Sequence, residues 1–96
     1  MIKITRVTVR PNVSAETYNA SDEHRADVQT YIDSNLLKRE YTDFLDGLTS
    51  KMVWEWANAE ALAEYNSLPL TISTNAARAA YNAAHNHIVT ETIETI

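Results

Sequence analysis

The chain has 96 residues, a formal net charge of −5, no Cys, two Pro and a single Gly. This length fits one domain over residues 1–96, and the lack of Cys excludes disulfides and thiol chemistry. The acidic balance and the scatter of basic residues along the chain argue against nucleic-acid binding, which depends on clustered Lys and Arg. No apolar run approaches the length of a membrane span, so we expect a cytoplasmic protein without membrane contact.

The first predicted element is a strand over residues 2–10, where apolar and polar residues alternate. The apolar parity changes between Ile4 and Val7, so the strand either contains a bulge or is covered on both faces. Pro11 is expected to end it, because proline cannot donate a ladder hydrogen bond.

A helix is predicted to follow Ser21, whose side chain can cap the free amides of the first turn. Asp22 and Glu23 lie where the helix dipole favours negative charge. The residues on its predicted inner face are His24, Val28, Tyr31, Ile32 and Asn35. We interpret His24 as a partly buried residue of that face rather than as a ligand or a base.

Two alternating runs over residues 37–45 and 49–56 flank Asp46-Gly47. Gly adopts positive φ without a Cβ clash, so this dipeptide predicts an antiparallel hairpin. On its second strand, Trp54 and Trp56 share one face. Both are core or interface anchors, or they line a ligand pocket.

The last third of the chain predicts two helical segments and a strand. Asn58 caps the first segment, Pro69 is expected to break it, and Ser73 or Thr74 caps the next. The predicted inner stripe of that next helix is Ala77, Ala80, Tyr81, Ala84 and Ile88. Residues 87–96 are rich in β-branched side chains and predict a final strand.

The predicted order is therefore β-α-β-β-α-β. This order defines an α+β, ferredoxin-like fold, an antiparallel sheet with helices on one face. Such a sheet leaves its second face uncovered.

A few side chains are candidates for chemistry. Arg6 is a charge within an apolar strand, so it either holds an anionic group in a cavity or pairs with a cross-strand Glu. Tyr65 and Tyr81 lie on inward stripes that could direct a hydroxyl into a pocket. His85 and His87 form an H-x-H pair at the predicted end of a helix, but no third ligand accompanies them, so we predict no metal site.

Residues 52–67, which read Met-Val-Trp-Glu-Trp-Ala-Asn-Ala-Glu-Ala-Leu-Ala-Glu-Tyr-Asn-Ser, carry a family resemblance. This stretch resembles the signature of the dimeric α+β barrel superfamily, typified by antibiotic-biosynthesis-monooxygenase-like domains. There a strand ending in Trp precedes a short capped helix. The resemblance implies a homodimer in which two sheets pack face to face as a barrel, with a pocket between the sheet and helices of each protomer.

Members of that superfamily include cofactor-free oxygenases, haem-degrading enzymes, decarboxylases, isomerases and proteins with no known activity. In the haem-degrading branch, Tyr65 would match the site aromatic and His85, in Ala83-Ala84-His85, the site histidine. The Asn that this branch carries on its first strand has no counterpart here.

Two functions are carried forward. One is a small-molecule cleft with cofactor-independent oxygenase or isomerase-like chemistry, shaped by Trp54, Trp56, Tyr65 and Tyr81. His85 or Arg6, together with Tyr65, would handle protons or charge, without a cofactor. The alternative is a non-enzymatic assembly or interaction module that uses the fold as a dimerisation platform. A concave pocket with a titratable group at its base would favour the enzyme.

Overall fold

The elements follow one another as β1 (Ile2–Val9), α1 (Asp22–Asp33), β2 (Leu37–Asp43), β3 (Thr49–Trp56), α2 (Ala59–Ser67), α3 (Pro69–Ala84) and β4 (Ile88–Thr95). These bounds come from a computed structural model that describes all 96 residues. The four strands form one antiparallel sheet in the order β2-β3-β1-β4, with the helices on one face. The predicted ferredoxin-like α+β fold is thus confirmed. None of the helices has the length and apolar character needed to cross a membrane.

The register of the sheet decides which side chains face the helices. Ile2 pairs with Trp56 and Ile4 with Trp54, and this parity faces the helices. The pairing of β1 with β3 and with β4 is continuous over all eight residues, so β1 contains no bulge. The change in apolar parity therefore places Val7 and Val9 on the opposite face, which no helix covers.

Helix α1 begins and packs as predicted. The Ser21 side chain accepts a hydrogen bond from the backbone N–H of His24 at 3.2 Å. The buried side chains of the helix are His24, Val28 and Tyr31. The predicted position of Asn35 on this face is wrong, because the helix ends at Asp33 and Asn35 has a φ of 60°, which helical backbone does not allow.

The predicted hairpin joins β2 to β3. Gly47 has a φ of +81°, the conformation for which glycine was expected. The Asp46 carboxylate accepts hydrogen bonds from the backbone N–H of Thr49, the backbone N–H of Leu48 and the Thr49 hydroxyl, and these bonds lower the pKa of Asp46 to about 2. Strand β2 ends at Asp43, earlier than predicted, because Phe44 also has a positive φ of 54°.

The boundary between α2 and α3 differs from the prediction. Asn58 caps α2 as expected, through its side-chain oxygen. Pro69 does not leave a break: only Leu68 separates the helices, and Pro69 is the first residue of α3. Proline is suited to that position, where a helix needs no N–H donor. Ser73 and Thr74 consequently lie inside α3, and neither caps it.

The inward face of α3 is also not the predicted alanine stripe. Its buried side chains are Thr71, Thr74 and Asn82. The alanines at 77, 80 and 84 are exposed, and Ile88 already belongs to β4. Both stripes repeat at helical spacing, so periodicity does not distinguish them. Alanine favours helix wherever it lies, so the alanine stripe does not mark the buried face.

The hydrophobic core lies at one end of the layer between sheet and helices. We call it the aromatic core; its buried residues are Val28, Tyr31, Leu37, Trp56, Ala61 and Tyr65. The Trp56 ring centroid lies 5.1 Å from that of Tyr65 and 5.3 Å from that of Tyr31. The Tyr31 hydroxyl donates to Glu64 at 2.7 Å. Burial and this hydrogen bond raise the pKa of Tyr31 to about 12, so the hydroxyl remains protonated.

Candidate ligand-binding cleft

Beyond the aromatic core, the same layer opens into a cavity of about 440 Å³, here called the inner cavity. The sheet forms its floor, helices α1 and α3 form two walls, and residues 17–20 close a third side. The lining residues that matter below are Arg6, His24, Tyr41, Trp54, Arg78 and Asn82.

A second cavity, of about 520 Å³, lies between α3 and β4 and is called the β4-side cavity. His87 and Glu91 line it. Arg6, Arg78 and Asn82 line both cavities, so these three residues lie where the two meet. We refer to both cavities together as the cleft.

A histidine–tyrosine pair lies in the wall of the inner cavity, next to the aromatic core. His24 is only 3% exposed, and its Nε2 lies 3.0 Å from the Tyr65 hydroxyl. Its Nδ1 is buried and has no hydrogen-bond partner. The tautomer in which Nε2–H donates to the Tyr65 oxygen leaves the Nδ1 lone pair free to accept a proton.

The surroundings keep this pair neutral. Burial lowers the pKa of His24, the nearby Arg78 guanidinium lowers it further, and Asp27 opposes the shift. Burial raises the pKa of Tyr65. At pH 7 an imidazole base therefore adjoins a protonated phenol. The sequence had placed His24 on the correct face of α1 but had not assigned it to a site.

Arg78 is the second residue that sequence reasoning missed. Its guanidinium lies over the Tyr18 ring, 5.7 Å from the centroid, and donates to Asn75 Oδ1 at 2.8 Å. No carboxylate lies within salt-bridge distance of it. Burial and the charge of Arg6 lower the pKa of Arg78, which indicates an environment unfavourable to a cation.

Both alternatives for Arg6 have some basis in the structure. Its Nε lies 3.1 Å from Glu91 Oε2, and Glu91 is its cross-strand partner on β4. Arg6 also lines both cavities. Its charge is thus already compensated, unlike that of Arg78.

Positive charge is concentrated around the inner cavity. Four of the eight basic side chains of the chain face it, whereas Asp43 is the one of the 13 acidic side chains that does. The four are Arg6, Arg25, Arg39 and Arg78; Lys51 also borders the cavity, but the register directs its side chain to the open face of the sheet. They are scattered in the sequence, and the fold gathers them.

Of the predicted ligand-binding residues, Trp54 lies at the inner cavity and Tyr65 lies close to it. Trp54 lines it, and its Nε1–H donates to the Tyr41 hydroxyl at 3.2 Å. Tyr65 is behind the wall and reaches the cavity only through His24. These positions are compatible with the predicted ligand roles of Trp54 and Tyr65, which stay predictions.

The other predicted site residues lie elsewhere. Trp56 has 0% exposure and belongs to the aromatic core. The Tyr81 hydroxyl donates to the Glu16 carbonyl at 2.8 Å, and neither cavity is lined by Tyr81. His85 is exposed just after α3 and stacks on Tyr81 at 4.2 Å, outside the cleft. The structure thus brings neither Tyr81 nor His85 to the cleft.

The two members of the H-x-H pair have different surroundings. His87 is buried and lines the β4-side cavity, and its ring centroid is 6.5 Å from that of His85. The chain has no group of three or more His, Asp or Glu side chains positioned to hold a metal ion.

Comparison with known proteins supports the fold. No family model and no curated protein sequence matches the chain. The whole chain superposes on 92% of a Deinococcus radiodurans protein described as a candidate antibiotic biosynthesis monooxygenase, at 17% identity and a TM-score of 0.52. It also covers 95% of Rv0793 from Mycobacterium tuberculosis, at 11% identity and a TM-score of 0.55. The chain therefore has the α+β fold of antibiotic-biosynthesis-monooxygenase-like proteins, as the resemblance implied.

Proposed function

We propose that the protein binds a small aromatic molecule in the cleft and oxidises it without a cofactor, as a monooxygenase-like enzyme. The observation that carries the proposal is the neutral His24, paired with Tyr65 at the wall of a cavity of about 440 Å³. A concave pocket with a titratable group at its base was expected to favour the enzyme, and His24 lies in the wall of this cavity. The proposal transfers the proton-handling role from His85 to His24.

In the proposed reaction, His24 removes a proton from an acidic C–H or O–H of the bound ring system, and Tyr65 orients the imidazole. The carbanion or phenolate that results is electron-rich enough to react with dioxygen directly. Conversion of a CH2 group to C=O then consumes one O2 and releases one water. The substrate carbon supplies all four electrons, so no external reductant is needed.

The test is oxygen uptake with a panel of anthrones and naphthols, followed with an oxygen electrode. His24→Gln is expected to lower the rate by about 10²-fold or more, the usual contribution of a general base. His85→Gln, measured beside it, should keep the wild-type rate, and circular dichroism would verify that both variants fold. Loss of activity in His85→Gln alone would return the role to His85, and no uptake by the wild type would argue against oxidation.

We further propose a homodimer in which the open faces of two sheets pack together. Val7, Val9 and Val53 share this half-buried face, with Thr5 between them. Val7→Lys should convert the dimer to a monomer in sedimentation experiments at tens of micromolar, because two lysines would be buried in one interface. Ala80→Lys, on the exposed side of α3, is the matched control. A monomeric wild type would rule the barrel out.

The second candidate is a non-enzymatic interaction module built on the same dimer. The half-buried valines of the open face favour it, since an uncovered apolar cluster can serve an interaction whether or not the cleft is catalytic. A stable dimer that consumes no oxygen and binds no aromatic probe would select this alternative. The cytoplasmic location expected from the sequence stays a prediction.

A further inference from the structure

The charge of Arg78 lacks a counter-ion. An arginine side chain stays protonated at all ordinary pH values, so a half-buried guanidinium normally has a carboxylate nearby. Here the only hydrogen-bond acceptor is the neutral amide of Asn75. The charge with the largest effect on Arg78 is another cation, Arg6, whose own carboxylate partner is Glu91.

This unpaired cation lies in the most cationic part of an acidic protein. The chain carries −5 overall, yet four basic side chains and one acidic side chain face the inner cavity. A cleft lined by one sign of charge concentrates molecules of the opposite sign. The cavity therefore favours an anion over a neutral molecule of the same shape.

The uncharged residues that line the inner cavity favour a ligand with an aromatic ring. Tyr18, Tyr41 and Trp54 line the inner cavity, together with Met52 and Val28. Its volume of about 440 Å³ falls in the range of about 300–1,000 Å³ typical of small-molecule sites. Six of the 18 lining residues are hydrophobic, and the three aromatic rings among them can pack against a planar ring system.

We infer that the ligand of this cleft is an aromatic carboxylate, and that Arg78 is the residue that binds its carboxylate group. The planar guanidinium can donate two parallel hydrogen bonds to a carboxylate. This inference rests on the proposed function, because it names the ligand class of the same cleft, but it concerns binding and requires no turnover.

The experiment compares two probes of nearly equal shape, 3-hydroxy-2-naphthoate and its uncharged carboxamide, by calorimetry and Trp fluorescence. Wild-type protein should bind the carboxylate at least about tenfold more tightly than the amide. Arg78→Gln should weaken carboxylate binding by about 10- to 100-fold and leave amide binding unchanged. Lys38→Gln removes an exposed charge on the open face of the sheet and should change neither.

A gain of affinity provides a second, independent readout. Glu91→Gln removes the partner of Arg6, so both arginines at the junction of the two cavities become uncompensated. This variant should bind the carboxylate several-fold more tightly and the amide no better. If Arg78→Gln does not fold, Glu91→Gln still decides the question.

Equal binding of the two probes by wild type, or binding of neither, would overturn the inference, as would Arg78→Gln or Glu91→Gln with wild-type preference. Failure of the proposed function looks different. Selective carboxylate binding without oxygen uptake on any substrate would keep the inference and reject the oxidation. Oxygen uptake with neutral substrates alone would support the oxidation and reject the aromatic carboxylate as the ligand.

Discussion

The two ends of the layer between sheet and helices differ in packing although the same strands build both. Along the inner face of β3 the residues run Trp56, Trp54, Met52, Ser50, and along β1 they run Ile2, Ile4, Arg6, Thr8. Side chains on one face lie two residues apart, so polarity rises step by step from the aromatic core to the cleft. The gradient shows that one sheet face can line a packed core at one end and an open cavity at the other.

The helices follow the same division. Helix α2 contributes Ala61 and Tyr65 to the aromatic core, whereas α3 brings Arg78 and Asn82 to the cleft. The contact between His24 and Tyr65 marks the boundary, with one partner on each side. A titratable group at such a boundary is desolvated enough to change its pKa, yet it remains next to the cavity.

The largest expected effect is a difference in unfolding free energy between a variant in the aromatic core and one in the cleft. Trp56→Ala removes the most buried side chain of the aromatic core and should cost about 3–5 kcal/mol of unfolding free energy. Arg78→Gln should either raise the unfolding free energy or lower it by less than about 0.5 kcal/mol, since the lost cation has no counter-ion. Urea unfolding of both variants measures the contrast, and equal losses would remove the distinction between core and cleft.

A smaller effect is expected at the boundary. Tyr65→Phe keeps the ring in the aromatic core but leaves His24 Nε2 buried without a partner, at a cost of about 1–3 kcal/mol. Tyr81→Phe is the matched control, because its hydroxyl donates to a carbonyl in an exposed region. Thermal melts compare them, and a smaller loss in Tyr65→Phe than in Tyr81→Phe would contradict the pairing.

The smallest effect is a dependence of stability on pH. The pKa of His24 lies below 6.5 in the folded protein, so the unfolded chain binds this proton first as the pH falls. The contribution of His24 is therefore present above pH 6.5 and is lost progressively as the pH falls towards the folded pKa. Its slope is at most about 1.4 kcal/mol per pH unit for one proton. His24→Gln should flatten the dependence of the unfolding free energy on pH between pH 7.5 and 5.5. An unchanged dependence in this variant would mean that groups other than His24 cause it.

Much of the fold could be predicted because local signals agreed with the tertiary structure. The Asp46-Gly47 turn, the Ser21 and Asn58 caps and the alternation along β3 depend on near neighbours in the chain. The wrong predictions arose where the local sequence was equally compatible with two structures. Pro69 both ends and begins helices, and α3 carries an alanine stripe and a polar stripe at the same period.

The sequence by itself determined the order of elements, the position of the hairpin and the presence of an uncovered sheet face, because backbone propensities and periodicity are local. Only the tertiary structure decided that His24 meets Tyr65, 41 residues away, and that four scattered cations face one cavity. Charges and hydrogen-bond partners act through space and fall off with distance. The site is therefore a property of the packed helices and sheet, and the single Gly47 that indicates the fold lies outside it.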